Sequence, residues 1–156
     1  MTCIAWDGKT LAVDKRVIYC GLARTVTKIF RIRDSLVGIA GDGAQGMDMV
    51  EWYRAGCDVE KFPIAQRDKD QWATVVVVKP DGLWLYERTP VMMRIEDAIY
   101  ATGSGRDYAL AAMHLGKSAA EAVEIACLFD IGCGNGVDTL ELDDRIVALH
   151  AKVSGG

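Results

Sequence analysis

Residues 2–14 read Thr-Cys-Ile-Ala-Trp-Asp-Gly-Lys-Thr-Leu-Ala-Val-Asp, and this stretch decides the fold that the sequence predicts. Two short apolar-rich runs, residues 3–6 and 10–13, lie on either side of Asp7-Gly8-Lys9. An Asp-Gly pair between such runs favours a tight turn, because glycine adopts the positive φ angles that hairpin turns require. We therefore expect the chain to begin with an antiparallel β-hairpin that ends near Asp14.

The remaining periodicity predicts further strands interrupted by helices. Strands are expected at residues 26–32, 36–40, 72–79, 83–87, 98–102, 137–142 and 145–150, and helices at about 44–55, 106–115 and 118–129. Four consecutive valines, 75–78, give the strongest strand. This order lacks the βαβα alternation of a parallel sheet. It indicates an α+β fold in which antiparallel sheets carry helices on their outer faces.

The composition is that of an ordinary globular chain and argues against several function classes. The length of 156 residues favours one domain over residues 1–156, and the net charge of −4 argues against nucleic acid as a partner. No apolar run approaches the roughly 20 residues that span a bilayer, and the first residues do not form a signal peptide. Five irregularly spaced cysteines and two histidines offer little basis for a zinc site. We expect a cytoplasmic protein that binds neither nucleic acid nor a membrane.

The N-terminus carries the first candidate for chemistry. Thr2 follows Met1, and a small residue at this position generally permits removal of the methionine. A terminal threonine combines a hydroxyl nucleophile with an α-amine whose pKa is about 7.7–8.0, so one residue supplies both nucleophile and base. Many proteins begin in this way, and an ordinary N-terminus therefore remains the open alternative.

Two charges interrupt apolar strands. Asp14 follows Leu-Ala-Val, and Lys28 lies between Val26 and Ile29. A lone buried charge costs several kcal/mol unless it is paired. Either both side chains point to solvent at strand ends, or they form a buried pair beside Thr2. In the second arrangement the lysine ammonium would favour the ionised hydroxyl.

Several segments, in order along the chain, resemble the β-type catalytic subunits of the proteasome and their bacterial relative, the HslV peptidase. Residues 11–16, Leu-Ala-Val-Asp-Lys-Arg, are similar to the family's apolar run that ends in Asp-x-Arg. Residues 26–29, Val-Thr-Lys-Ile, are similar to its Val-Lys-Lys-Val segment. Residues 38–41, 101–105 and 130–134 are similar to its Ala-Gly turn, its Gly-Ser-Gly motif and its Asp-x-x-Ser-Gly motif.

The resemblance implies the fold of the N-terminal nucleophile (Ntn) hydrolases. This is a four-layer αββα sandwich of two antiparallel sheets flanked by helices. It also implies peptide hydrolysis through an acyl ester on Thr2, exposed by removal of Met1. Lys28 would lower the proton affinity of the hydroxyl, Asp14 would orient Lys28, and the Gly41 N–H would face the oxyanion.

Further roles follow from the same resemblance. The residues that would hold the Thr2 amine or support its neighbours are Ser104, Asp130, Arg16 and Cys133. The residues that would line the substrate pocket are Val17, Val26 and Gln45. The bacterial relative also implies a monovalent or divalent cation on main-chain carbonyls at Asp130, Cys133 and Gly136, with no side-chain metal ligand and no other cofactor required.

The partners that the resemblance implies are further copies of the chain and an ATPase. The family forms homo-oligomeric rings of six or seven subunits, often stacked, with the active sites facing an inner chamber. An AAA+ unfoldase usually feeds peptide or unfolded-protein substrates into it. We expect the same partners here.

Two departures from the family pattern keep other functions open. Cys133 replaces a serine, and Arg106 follows Gly105 where small residues are common. One alternative is an inactive, proteasome-like assembly protein that retains Met1. Another is an Ntn hydrolase that cleaves small amides.

Overall fold

The computed structural model describes residues 1–64 and 70–155 and contains eleven strands in these ranges. They are β1 Cys3–Trp6, β2 Thr10–Asp14, β3 Arg16–Tyr19, β4 Leu22–Thr25, β5 Ile29–Ile32, β6 Ser35–Gly41, β7 Ala73–Lys79, β8 Gly82–Tyr86, β9 Met93–Ile95, β10 Tyr100–Gly103 and β11 Val137–Glu141. The helices are α1 Gly43–Arg54, α2 Arg106–His114, α3 Ala119–Phe129 and α4 Asp144–Ser154, with a 3₁₀ turn at Val59–Lys61.

Two antiparallel sheets form the centre of the molecule. One has the strand order β10-β1-β2-β11, and the other has the order β5-β6-β7-β8-β9. Their facing sides bury one apolar cluster, to which Ile4 and Val13 contribute from the first sheet and Leu36 and Val76 from the second. Burial of such side chains, at about 25 cal/mol per Å² of apolar surface, is the main force that holds the sheets together.

Helices cover the outer faces. Alternate residues of β1 point away from the second sheet, and Ala5 packs with α2 and α3 in a layer rich in alanine. On the other side α1 packs Met49 and Trp52 against Val75 of β7. The four layers αββα that the resemblance implies are confirmed. No helix in residues 1–64 and 70–155 is long and apolar enough to cross a bilayer.

The local predictions have mixed outcomes. The β1–β2 hairpin is confirmed, as is the capping box of α3, in which Ser118 and Glu121 exchange hydrogen bonds. The strand predicted at 145–150 is wrong, because Asp143 accepts a hydrogen bond from the Arg145 N–H and starts helix α4. Residues 65–69, part of a segment predicted to be irregular, lie outside the described residues.

Three features were not anticipated. The β3–β4 hairpin pairs only with itself among the described strands, and its exposed residues lack the alternation by which half-buried strands are recognised. Strand β9 is only three residues long. Helix α1 buries Met49 and Val50, whereas Met47 is 40% exposed.

The junction of β1 with β10 requires glycine at position 103. Gly103 has a φ of +93°, and a Cβ there would lie 2.1 Å from the Thr2 carbonyl oxygen. Gly116 has the same φ of +93°, but a Cβ there would meet nothing within 4 Å. The two positions therefore differ in crowding and not in φ.

We predict that Gly116→Ala lowers the free energy of unfolding by about 1–2 kcal/mol, the usual cost of left-handed backbone. Gly103→Ala is expected to cost about 1–3 kcal/mol more, because the Thr2 backbone must move. Urea denaturation of both variants measures the difference. Equal losses would mean that the Thr2 backbone is not held against Gly103.

Candidate active site

The backbone of Thr2 is held on both sides at the start of β1. Its N–H donates to the Ser104 hydroxyl over 3.2 Å, and its carbonyl accepts from the Gly105 N–H over 3.2 Å. The residue is only 2% exposed. Thr2 is thus fixed in position before any ligand binds.

A buried ammonium faces the Thr2 hydroxyl. Lys28 Nζ donates to Thr2 Oγ1 over 3.1 Å, to Asp14 Oδ1 over 2.7 Å and to the Arg16 carbonyl over 2.8 Å. These contacts use all three of its N–H donors. The side chains of Lys28 and Asp14 are 8% and 0% exposed, so the alternative in which both point to solvent is wrong.

Asp14 joins three parts of the chain. Besides Lys28, its carboxylate accepts hydrogen bonds from the backbone N–H groups of Cys3, Arg16 and Gly134, each over 3.0 Å. A buried ion pair is tolerated when further hydrogen bonds satisfy its remaining lone pairs. Here they do, and they tie β1 and the loop before β11 to the end of β2.

The turn after β6 requires glycine and opens a helix. Gly41 has a φ of +96°, and a Cβ there would lie 2.3 Å from the Trp72 carbonyl oxygen. Asp42 caps α1 by accepting from the Gln45 N–H, and Gly43 at the first turn borders open space. The positive end of the α1 dipole therefore lies beside Gly41.

Ser104 connects Thr2 with the loop that follows α3. Its hydroxyl oxygen lies 3.5 Å from the Thr2 carbonyl oxygen and 3.8 Å from Cys133 Sγ. The Cys133 thiol in turn donates to Asp130 Oδ2 over 3.2 Å, and the Gly132 N–H donates to Asp130 Oδ1 over 2.8 Å. All of the predicted neighbours of the Thr2 nitrogen thus lie in one network.

The two titratable groups of this network differ in charge. Partial burial opposes ionisation of Asp130, but hydrogen bonds from Ser104, the Gly132 N–H and Cys133 outweigh it and hold the pKa of Asp130 below its usual range. Burial, together with the Asp14 carboxylate, raises the pKa of the Cys133 thiol to about 12. At neutral pH the loop therefore presents a carboxylate and a neutral thiol, and the thiol is a weak donor.

Arg16 holds the outer part of the same loop. Its guanidinium donates to the Ile131 carbonyl over 2.8 Å and to Asn135 Oδ1 over 2.9 Å, and it lies against Gly134. The residue thus fixes the loop from outside, while its own carbonyl accepts from Lys28.

The predicted cation site on this loop fits poorly. The Asp130 carbonyl already accepts the Cys133 N–H, and the Gly136 carbonyl accepts the Lys15 N–H. The positive Arg16 side chain lies on the loop as well. Within residues 1–64 and 70–155 no cluster of His, Cys, Asp and Glu side chains could hold a metal.

A cleft of about 730 Å³ extends from Lys28 and Gly41 towards the β3–β4 hairpin and α1. Val17 and Val26 line it, as expected for a substrate pocket. Gln45 does not line it, because this residue is buried and its amide donates to the Pro63 carbonyl over 2.9 Å.

The sequence reasoning missed the other apolar residues of the cleft, among them Ile39, Ala44 and Met47. The spacing of Ala44 and Met47, one helical turn apart on α1, was the only available signal.

Met1 covers the nitrogen that the proposed chemistry requires. The Thr2 hydroxyl donates to the Met1 carbonyl over 2.5 Å, and the Met1 side chain packs against Gly132. While Met1 is attached, the Thr2 nitrogen is an amide and has no basicity.

Comparison with known proteins identifies the fold. No family model and no curated protein sequence matches the chain. Its structure is similar to that of BPH from Thiobacillus denitrificans, with a TM-score of 0.66 and 22% identity over 92% of this chain and 98% of that chain. The same protein in complex with epoxomicin gives a TM-score of 0.66 at 19% identity, over 91% of this chain and 98% of that one.

Eukaryotic HslV from Trypanosoma brucei is also similar, with a TM-score of 0.64 and 21% identity over 89% of this chain and 97% of that one. The coverage of both chains is nearly complete, so the similarity concerns the whole domain and not one motif. The chain therefore has the same four-layer fold as BPH and HslV.

Proposed function

We propose that this chain is a threonine-type endopeptidase in which Thr2, freed of Met1, attacks peptide carbonyls. One observation carries the proposal: Lys28, held by Asp14 in a buried pair, donates a hydrogen bond to Thr2 Oγ1 over 3.1 Å. A buried ammonium at this distance stabilises the hydroxyl oxygen as it gains negative charge. An ordinary N-terminus would not need such a pair.

The base in this mechanism is the Thr2 α-amine. Removal of Met1 leaves the Thr2 nitrogen beside the Ser104 hydroxyl, with which it already forms a hydrogen bond. An α-amine with a pKa of about 7.7–8.0 is substantially neutral near pH 8 and can take the hydroxyl proton. Ser104 and the Asp130 carboxylate behind it would then hold the resulting ammonium.

The oxyanion would form next to Gly41. Attack by Oγ1 on the substrate carbonyl carbon places negative charge on the carbonyl oxygen. The Gly41 N–H and the positive end of α1 are the groups that favour a negative charge there. One such donor is worth roughly 3–4 kcal/mol in transition-state stabilisation.

The intermediate then collapses to an ester. The C–N bond of the substrate breaks, the proton on the Thr2 amine moves to the leaving nitrogen, and the acyl group stays on Oγ1. Water, deprotonated by the same amine, adds to the ester carbon, and Oγ1 leaves with the proton. Lys28 stays protonated and paired with Asp14 throughout.

Ring assembly is part of the proposal. Around α2 and α3 the surface exposes large apolar side chains, namely Tyr108, Leu115, Leu128, Phe129 and Ile131. The rings of Tyr108 and Phe129 stack at 5.5 Å. Exposed apolar patches of this kind usually mark contact surfaces, so they support self-assembly. A partner unfoldase follows only from the resemblance.

A second function is favoured by the contacts of Met1. The hydrogen bond to its carbonyl and its packing on Gly132 give the uncleaved residue a place in the fold. A chain that keeps Met1 has no base at Thr2, and it would then be an assembly protein without catalysis. Rings that form but show no hydrolysis would identify this function.

We predict that Thr2→Ala abolishes hydrolysis of a fluorogenic peptide, because it removes the nucleophile and leaves the terminal amine. Alanine permits methionine removal as threonine does, so the two proteins should differ only at the side chain. Thr2→Ser keeps a hydroxyl and should retain measurable turnover. Full activity of Thr2→Ala would exclude the mechanism.

Lys28→Ala should lower turnover by about 100-fold or more, because the ionised hydroxyl loses its cation. Three backbone N–H groups still bind Asp14, but loss of its cation should lower the free energy of unfolding by about 3–5 kcal/mol, so turnover is compared at a temperature at which circular dichroism shows the variant to be folded. Lys61→Ala is the matched control, because it also removes a lysine but one whose side chain is 80% exposed and does not line the cleft. It should leave turnover unchanged. If both variants keep full activity, Lys28 has no part in the reaction.

A further inference from the structure

The loop between α3 and β11 is rich in glycine. Gly132, Gly134 and Gly136 alternate with Cys133 and Asn135. The last three of these five residues all have positive φ angles, of +152°, +63° and +102° in chain order. Glycine loses more conformational freedom on folding than any other residue, so such a loop needs anchors. Asn135 has the only side chain among those last three residues.

Asn135 binds the base of the β3–β4 hairpin through both polar atoms of its side chain. Its Oδ1 accepts from Arg16 Nε over 2.9 Å, and its Nδ2 donates to Thr25 Oγ1 over 2.9 Å. Arg16 begins β3, Thr25 ends β4, and the two residues face each other in the hairpin register. One side chain therefore ties both strands to the loop. We call these two hydrogen bonds the Asn135 clamp.

The hairpin side of the clamp leads to Lys28. The hairpin pairs only with itself among the described strands, so its position depends on contacts at its base. There the Arg16 carbonyl accepts a hydrogen bond from Lys28 Nζ over 2.8 Å, and the Arg16 N–H donates to Asp14 Oδ2 over 3.0 Å. If Arg16 moved, the ammonium would lose one of the three acceptors that direct it at Thr2 Oγ1.

The loop side of the clamp leads to the Thr2 nitrogen. The Gly134 N–H donates to Asp14 Oδ2 over 3.0 Å, and the Cys133 thiol donates to Asp130, which lies behind Ser104. Gly134 also lies so close to the Arg16 guanidinium that a Cβ there would be 2.5 Å from Nη2. A shift of the loop against the hairpin would therefore disturb both sides of the site.

We propose that Asn135 is a positioning residue for the reaction at Thr2. By holding the base of the hairpin against the loop, the clamp keeps Lys28 directed at Thr2 Oγ1 and keeps the Asp130 carboxylate behind Ser104. The inference rests on the proposed function, because it concerns the same site. It adds an exposed residue that acts on the reacting atoms only through Arg16 and through its own loop.

Two variants at position 135 separate the side chain from the backbone. Asn135→Gly removes the clamp without strain, because glycine adopts a φ of +63° freely. Asn135→Asp retains the clamp, since one carboxylate oxygen accepts from Arg16 and the other from the Thr25 hydroxyl. Cys20→Gly is the matched control, because it also places glycine at an exposed residue of left-handed φ, +50°, at the tip of the same hairpin. Thermal melting checks that all three variants fold.

Turnover of a fluorogenic peptide at saturating concentration should fall about tenfold in Asn135→Gly, because the reacting groups are displaced. KM should stay within about twofold, since Arg16 and the hairpin pairs that wall the cleft keep their own backbone contacts. Asn135→Asp should restore turnover to within about twofold of wild type, and Cys20→Gly should not change it. No loss in Asn135→Gly, no rescue by aspartate, an equal loss in Cys20→Gly or a loss confined to KM overturns the inference.

Hydrogen exchange tests the clamp without turnover. In peptides that cover residues 130–137, mass spectrometry should show exchange at least about tenfold faster in Asn135→Gly than in wild type, because the Gly132 and Gly134 N–H groups are bonded only while the loop keeps its place. Peptides that cover α1 should exchange as in wild type. Unchanged exchange in residues 130–137 overturns the inference whatever the activity.

The two readouts separate this inference from the proposed function. Faster exchange that aspartate reverses, in a chain whose wild type hydrolyses nothing, leaves the clamp standing and refutes only the proposed peptidase function. Faster exchange in a chain whose turnover stays at the wild-type level overturns the role of Asn135 in the reaction and leaves the peptidase function standing.

Discussion

The buried pair of Asp14 and Lys28 is the interaction on which the site depends. The Asp14 carboxylate accepts a hydrogen bond from the Lys28 ammonium. At the same time it accepts hydrogen bonds from three backbone N–H groups, including those of Cys3 and Gly134. The carboxylate therefore fixes the start of β1, the loop before β11 and the lysine that faces Thr2. A buried charge of this kind is stable only when fully paired, and the surrounding backbone is arranged to pair it.

Much of this arrangement could be predicted from the sequence, and the rest could not for identifiable reasons. The first hairpin follows from Asp-Gly chemistry, which is local. Whether Asp14 and Lys28 face each other or the solvent depends on how two distant strands pack, and spacing left both alternatives open. Residues 145–150 form a helix and not the predicted strand, because the N-cap at Asp143 outweighs a weak strand pattern.

The binding face of α1 could be predicted only in part. Helical periodicity places residues on faces but does not say which face meets the sheet. Gln45, expected in the pocket, is buried and its amide donates to the Pro63 carbonyl, whereas Met47, which was not expected there, borders the cleft. Gln45 and Met47 are two positions apart, about 200° around the helix axis, so they lie on nearly opposite faces of α1.

The state of the N-terminus decides between a peptidase and an inactive subunit, and the intact mass of the protein after incubation with an electrophilic inhibitor directed at N-terminal threonine measures it most directly. We predict a protein that lacks the mass of one methionine residue and carries one inhibitor, with fragmentation placing the adduct on Thr2. A protein that retains Met1, or that loses it and takes up no inhibitor, would contradict the claim that Thr2 is the nucleophile.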